Sequence, residues 1–313
     1  MTIAFTFPGQ GSQAVGMGKA LAEAFPTAAH VFAEVDDALG QKLSALMWEG
    51  PDAELTLTEN AQPALMAVSL AALRVAEEKG VSVVRDAAFV AGHSLGEYSA
   101  LAAAGSLSIS DTARLLKIRG RAMQAAVPVG EGAMAALLGL SFADAVAVAA
   151  EAAQGQVCQA ANDNADGQVV VSGAKAAIER AVEIAKSRGA KRAMLLNVSA
   201  PFHCALMRPA ADAMAEALAK VEIRRPVVPV VANVLAGPIS DPEEIRRRLV
   251  EQVTGTVRWR ESVQWLAAHG VTRLYEIGSG KVLTGLVKRI VDGVEGIAVG
   301  TPADVEKMVV DLV

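Results

Sequence analysis

The pentapeptide Gly92-His93-Ser94-Leu95-Gly96 follows a short apolar run at residues 86–91 and leads into a helix-like stretch at 96–104. Strand, sharp turn and helix in that order belong at the C-terminal edge of a sheet covered by helices, which is the setting of a G-x-S-x-G elbow. The two glycines relieve crowding around a serine held on a strained turn. The helix that follows points its positive end at any negative charge developing beside the hydroxyl. A serine in an ordinary strand-to-helix turn is the plainer alternative, and the flanking pattern weighs against it. Composition agrees with the class: 52% of the 313 residues are hydrophobic but only 4% aromatic. That suits helices packed on a buried parallel sheet better than a β-sandwich, so an α/β fold is expected.

Several function classes drop out early. With 20% charged residues among so many apolar ones, the chain must bury a sizeable core and is no disordered linker. A net charge of −5 argues against a nucleic-acid binder that relies on bulk basic charge, and any basic patch must be local. The longest apolar stretch, residues 61–76, is broken by Gln62, Pro63 and Arg74, so no membrane span is expected. The first residues carry no basic n-region and read as a buried strand rather than a secretory signal. Cys158 and Cys204 make neither a disulfide framework nor a paired metal-ligand spacing. They read as core thiols in a reducing compartment, with the cytoplasm as the expected location, no metal and no bound cofactor.

The periodicities divide the chain. Residues 3–7 form a strand entering a Gly-rich turn. Leu65, Val68, Ala72 and Val75 recur at helix spacing with charges opposite, and a further helix runs from Asp111, a plausible N-cap, to about Ala126. Between Gly132 and Val198 the pattern reads strand (133–139), helix (142–153), strand (156–161), strand (169–172), helix (174–188), strand (192–198). That βαββαβ order is the ferredoxin-like unit. It predicts a small subdomain at 128–198 inserted into a body made of 1–127 and 199–313, with a cleft between them. Beyond it come a helix from 204 to about 220, a strand at 227–233, helices near 242–253 and 257–269, a strand at 272–277 and a helix at 282–291.

Serine needs a base, and the histidines are His30, His93, His203 and His269. His93 adjoins Ser94, but neighbouring side chains on a tight turn diverge; His30 and His269 look like surface residues. His203, in Ser199-Ala200-Pro201-Phe202-His203-Cys204, is the remaining candidate, with a satisfied structural histidine as the alternative. The acids between Ser94 and His203 that could complete a triad, Asp163 and Asp166, fall in a loop of the small subdomain. A backbone carbonyl could orient the imidazole instead.

On a wheel of residues 111–126, Arg114, Lys117 and Arg121 share a polar face while Arg119 falls among Leu115, Ile118, Ala122 and Met123. An inward-facing Arg wants an anion: an internal acid, or a ligand carboxylate that its fork can grip bidentately. Beside a nucleophile the ligand reading gains. Pro8-Gly9-Gln10-Gly11-Ser12-Gln13 is a poor dinucleotide fingerprint, because Ala14 breaks it. It suits an oxyanion donor, the backbone N–H of Gln10 acting with that of Leu95.

Taken together, Phe7-Pro8-Gly9-Gln10-Gly11-Ser12-Gln13, Gly92-His93-Ser94-Leu95-Gly96-Glu97-Tyr98, Arg119-Gly120-Arg121-Ala122-Met123-Gln124, Asn162 and Pro201-Phe202-His203 closely resemble the malonyl-CoA:acyl carrier protein transacylases of type II fatty-acid synthesis. The resemblance spans nearly the whole chain. It implies an α/β-hydrolase-like body, with a mostly parallel sheet, carrying a ferredoxin-like subdomain. It further implies Ser94 as nucleophile, His203 as base, Arg119 on the malonyl carboxylate, and Gln10 and Leu95 as oxyanion donors. The backbone carbonyl of Gln252 would orient the histidine, its side chain being incidental, and Asn162 and Phe202 would lie near the substrate. Phe202 stands where many members carry a small residue, and Phe-His there resembles malonyl-selective acyltransferases of polyketide synthases.

The implied reaction is ping-pong transfer of malonyl from malonyl-CoA, through an ester on Ser94, to the phosphopantetheine thiol of acyl carrier protein, by a monomer. Lys191 and Arg192, with Lys288 and Arg289 on an expected last helix, are candidates for meeting that acidic partner. Rival readings are a stand-alone acyltransferase of a polyketide pathway, a serine esterase or thioesterase, and a silent carrier-protein binding module.

Overall fold

In the computed structural model, which describes residues 2–313, ten strands follow in chain order: β1 (Thr2–Phe7), β2 (Phe89–Gly92), β3 (Gly132–Leu138), β4 (Cys158–Ala165), β5 (Gln168–Ala174), β6 (Arg192–Leu195), β7 (Val230–Ala232), β8 (Gly237–Ile239), β9 (Val271–Ile277) and β10 (Glu295–Val299). β1 is buried from Ile3 onward and β2 from Val90 onward, as only strands covered on both faces can be. They lie at the centre of a six-stranded sheet of order β10-β9-β1-β2-β7-β8, parallel throughout except for the β7–β8 pair. The elbow therefore leaves the middle of the sheet, where the scaffold is stiffest.

The second sheet is built wholly from residues 132–195. Its order, β4-β5-β3-β6 with all neighbours antiparallel, is the ferredoxin-like arrangement, and helices Phe142–Ala153 and Lys175–Ser187 cover one face. Strand alternation does the rest. Ala135, Leu137, Val169 and Val171 face those helices, while Met134 and Val170 face the other way and pack with Phe202. β4 is stitched to the body where Val257 N–H donates to Ala161 O and Asp163 N–H donates to Val257 O, each at 2.9 Å. Asp163 is fully buried against Arg260 at 2.8 Å, so it clamps the two parts together and is not free to orient a histidine.

The structure corrects some of the sequence reading. Helix Thr58–Glu78 is buried on nearly every side rather than amphipathic, because helices Pro26–Leu39, Ile109–Ala125 and Leu95–Ala103 pack around it; its Ala-rich sequence permits that closeness. The cap of helix Ile109–Ala125 is Ser108, whose Oγ accepts from Asp111 N–H at 3.0 Å, not Asp111 itself. Lys117, expected on the polar face, is buried and pairs with Glu59 at 3.0 Å, while Ile118 is 41% exposed. Residues 83–86 form one helical turn ahead of β2. The helix at 282 stops at Val287, so Lys288 and Arg289 lie beyond it; β8, β10 and the true last helix, Pro302–Leu312, went unforeseen. The two strands are too short for a period to show, whereas the helix does carry one, Val305, Met308, Val309 and Leu312 recurring at helix spacing after the Thr301–Asp304 capping box. No helix of the described residues is long and apolar enough to cross a membrane.

Gly120 shows how tight this packing is. A Cβ there would sit 2.5 Å from the Glu59 Cα and 2.7 Å from the Thr58 carbonyl oxygen, both of them backbone atoms that cannot step aside. Helix propensity favours Gly120→Ala by about 1 kcal/mol. Overpacking costs roughly 1–3 kcal/mol and should win. Thermal unfolding of Gly120→Ala is expected to show a lowered Tm; a raised one would refute the close approach.

Candidate active site

Why the elbow needs its glycines is visible in the backbone. A Cβ on Gly92 would run into the Gly96 carbonyl, and one on Gly96 into the carbonyls of Phe7 and Pro8. Ser94 between them has φ 53 and ψ −110, a conformation L-residues avoid, and the surroundings must hold it there. Asn233, just past β7, does so: its Oδ1 accepts from Ser94 N–H at 2.8 Å and its Nδ2 donates to Gly92 O at 2.7 Å. Those are the two backbone groups that the strand has given up and the helix has not yet taken. Leu95 opens helix Leu95–Ala103 and lines the cavity; Gly96 N–H and Glu97 N–H donate to His93 O and Ser94 O at 2.9 and 3.0 Å, which leaves the Leu95 N–H as the first turn's free donor among the described residues.

His203 brings its Nε2 to 2.8 Å from Ser94 Oγ, and its Nδ1 lies 2.9 Å from the Gln252 carbonyl oxygen. A carbonyl can only accept, so the proton sits on Nδ1 and Nε2 is left to take the serine proton. His203 also has positive φ, 57, a second strained residue facing the first. Burial, followed by the nearby charge of Arg119, pushes its pKa down to about 3. The imidazole is thus an uncharged acceptor across the ordinary pH range. His93 turns away, to Asn164 Oδ1 at 2.8 Å, and packs beside Trp259. His30 and His269 are exposed.

Arg119 is 1% exposed and meets no acid. Its Nη1 donates to Gln62 Oε1 at 2.8 Å, and its Nη2 donates to Gln252 Oε1 at 2.9 Å and Ser94 Oγ at 3.1 Å, while Nε has no partner. The internal ion pair that the sequence left open is absent among the described residues. The Gln252 side chain is a correction: far from incidental, it bridges Arg119 to Glu97, whose Oε2 accepts from Gln252 Nε2 at 2.8 Å.

A cavity of about 340 Å³ opens over these groups, between the two sheets. Ser94, Leu95, Arg119, His203, Gln10, Asn162 and Phe202 all line it, with Met123, Met134 and Val170 as an apolar wall. Gln10 is also tied to Arg119 through Gln62: its Oε1 accepts from Thr58 Oγ1, which accepts from Gln62 Nε2, both at 2.8 Å. Sequence reading missed Gln62, Asn164, Asn233 and Glu97. Gln62 carried a signal, a polar residue inside an apolar run, as Arg119 did; Asn233 and Asn164 carried none. Lys191, Arg192, Lys288 and Arg289 are exposed and outside the cavity. Among the described residues no cluster of His, Cys, Asp and Glu could hold a metal ion.

Comparison with known proteins follows the same lines. Residues 4–304 match the model of the acyl transferase domain family. The malonyl CoA-acyl carrier protein transacylase of Escherichia coli K12 is 50% identical over 300 residues, 96% of each chain. The chain belongs to this transacylase family. The crystal structure of the acyl-carrier-protein-S-malonyltransferase from Bartonella henselae superposes with a TM-score of 0.98 at 59% identity, covering 100% of this chain and 99% of that one. A malonyl-transacylase solved in complex with a type II polyketide acyl-carrier protein gives 0.96 at 46% identity, covering 99% and 100%. Family membership accounts for the fold, an α/β body with a mostly parallel sheet and a separate antiparallel one, and makes the chain an enzyme.

An imidazole depressed to about 3 gains its second proton only far below the usual histidine value, so acidification toward pH 5 leaves Nε2 free to accept one. The rate constant for acylation by acetyl-CoA, which has no carboxylate for Arg119 and so does not sense Glu97, a carboxyl that burial pushes up to about 7, should show no fall centred near pH 6.5 when measured by rapid quench. A fall there would mean His203 titrates as a solvated histidine.

Proposed function

We propose that this enzyme moves a malonyl group from malonyl-CoA to the phosphopantetheine thiol of acyl carrier protein through an ester on Ser94. The observation that carries the reading is Arg119, a buried guanidinium without an acid partner, directly beside a serine already hydrogen-bonded to a neutral histidine. An acyl group that brings its own carboxylate satisfies that charge. An esterase or thioesterase acting on neutral esters has no use for it, and a silent binding module has no need of the Ser94–His203 contact.

The steps follow from the contacts. Ser94 Oγ attacks the thioester carbon while its proton passes to His203 Nε2, whose orientation Gln252 O maintains. The backbone N–H groups of Leu95 and Gln10 meet the oxyanion. Collapse breaks the C–S bond, and the CoA sulfur leaves with the proton from His203. Acylation turns Ser94 Oγ into an ester oxygen, a weaker acceptor, and frees Arg119 Nη2 for the malonyl carboxylate. The carrier protein's thiol then gives its proton to His203 and attacks the ester, returning the proton to Ser94. Asn162 and Phe202 border the acyl group, and the apolar wall keeps water a poor competitor.

Supply of fatty-acid synthesis from a cytoplasmic, monomeric enzyme is the pathway proposed. The close likeness to a transacylase bound to a polyketide carrier protein keeps a polyketide pathway as the second reading. For docking, strand register brings the two basic pairs near one end of the small sheet: Arg192 is opposite Leu138, Leu138 opposite Gln168, and the Gln168 side chain bonds Arg289. An acidic carrier protein would find local positive charge there on a chain of net −5.

Intact mass spectrometry after mixing with malonyl-CoA tests the chemistry: wild type should gain one malonyl group and Ser94→Ala none, an adduct on Ser94→Ala overturning the assignment. Truncating one partner of a buried charge pair costs about 2–5 kcal/mol, so Arg119→Ala should lose malonyl loading roughly 30- to several-thousand-fold while acetyl loading persists. Equal losses would remove the clamp. Charge reversal at Lys191 and Arg192 should raise the carrier-protein KM without altering acylation by malonyl-CoA; an unchanged KM would rule that patch out.

A further inference from the structure

Glu97 is buried, 1% exposed, and among the described residues has no Lys, Arg or His within ion-pair distance. Burying a carboxyl group without an ionic partner is costly. It sits in the first turn of helix Leu95–Ala103, which recovers part of that cost. Its Oε2 accepts from Asn233 N–H at 3.0 Å and from Gln252 Nε2 at 2.8 Å.

The second of those bonds decides which way round the Gln252 amide lies. Nε2 also faces Ser94 O at 3.0 Å and Asn233 Oδ1 at 3.4 Å, so the nitrogen has acceptors on every side, and Oε1 is left for Arg119 Nη2 at 2.9 Å. Turned over, the amide would set its oxygen against a carboxylate and its NH2 against a guanidinium. Of the acceptors that prevent this, Glu97 is the one that is ionisable: burial pushes its carboxyl up to about 7, and above that pH it is charged and offers no donor. Gln62 holds Nη1 on the other side in the same sense, its Nε2 being tied to Thr58.

We propose that Glu97 is a positioning residue for acyl-group selection, locking the Gln252 amide with its oxygen toward Arg119 and so aiming the guanidinium at the substrate's carboxylate. This rests on the reading of Arg119 as the carboxylate clamp. Glu97 lines no part of the cavity and touches no reacting atom, so it acts only through Gln252.

The test compares kcat/KM for malonyl-CoA and acetyl-CoA in wild type, Glu97→Leu, Glu97→Gln, Arg119→Ala and Arg119→Ala/Glu97→Leu. Coupling through a shared partner should make Glu97→Leu lower the malonyl rate about 10-fold or more while acetyl changes less than about 3-fold. Glu97→Gln, whose amide oxygen can still accept from Gln252, should keep the malonyl-to-acetyl ratio within about 3-fold of wild type. On Arg119→Ala, adding Glu97→Leu should leave the ratio unmoved. Equal losses on both acyl groups, or a ratio that Gln does not rescue, would overturn the proposal. Should Glu97→Leu not fold, Glu97→Asp retracts the carboxylate by one methylene and should still lower the ratio; an unchanged ratio there also overturns it. If Arg119→Ala leaves the ratio unchanged, the clamp reading itself fails. If Arg119→Ala lowers it and Glu97→Leu does not, only the role of Glu97 fails.

Discussion

A guanidinium taken out of water without a carboxylate to neutralise it is the constraint around which this structure is arranged. Arg119 costs several kcal/mol to bury uncompensated, and neutral amide oxygens from Gln62 and Gln252 return only part of that. A protein acid in contact would stabilise the fold further, but it would also fill the place a ligand anion needs. The positive charge left over has a second effect. Together with burial it holds His203 uncharged, so the residue proposed to receive an acidic acyl group also keeps the imidazole free of its second proton.

Around that charge, Ser94 and His203 are held by polar contacts that each do two tasks. Asn233 closes the elbow with its side chain and binds Glu97 with its backbone. Gln252 orients His203 with its carbonyl and Arg119 with its amide. Both Ser94 and His203 sit at positive φ, a strain that persists only because such contacts over-determine it. Little reorganisation is left for the reaction to perform, which is where preorganised sites gain most of their rate.

The two sheets divide the work. The parallel sheet supplies rigid positions for Ser94 and His203, the proposed nucleophile and base, and the antiparallel one turns alternate side chains, Met134 and Val170, toward the cavity as its apolar wall. Stitching at Val257 and the buried Asp163–Arg260 pair set the two at a fixed separation.

Local patterns declared themselves in the sequence because they need few residues close together. The glycines flanking Ser94, the βαββαβ periods and an Arg inside an apolar arc follow from backbone sterics, strand and helix repeats, and the cost of burying charge. What the tertiary structure alone decided were the pairings made across long separations: Asn233 with Ser94, Gln252 with both Arg119 and Glu97, His93 with Asn164. An amide side chain has no period and no obligatory environment, so nothing around Asn233 or Gln252 in the chain distinguishes it from a surface residue. Only when folding carries it to an unpaired backbone group or a buried charge does its role exist.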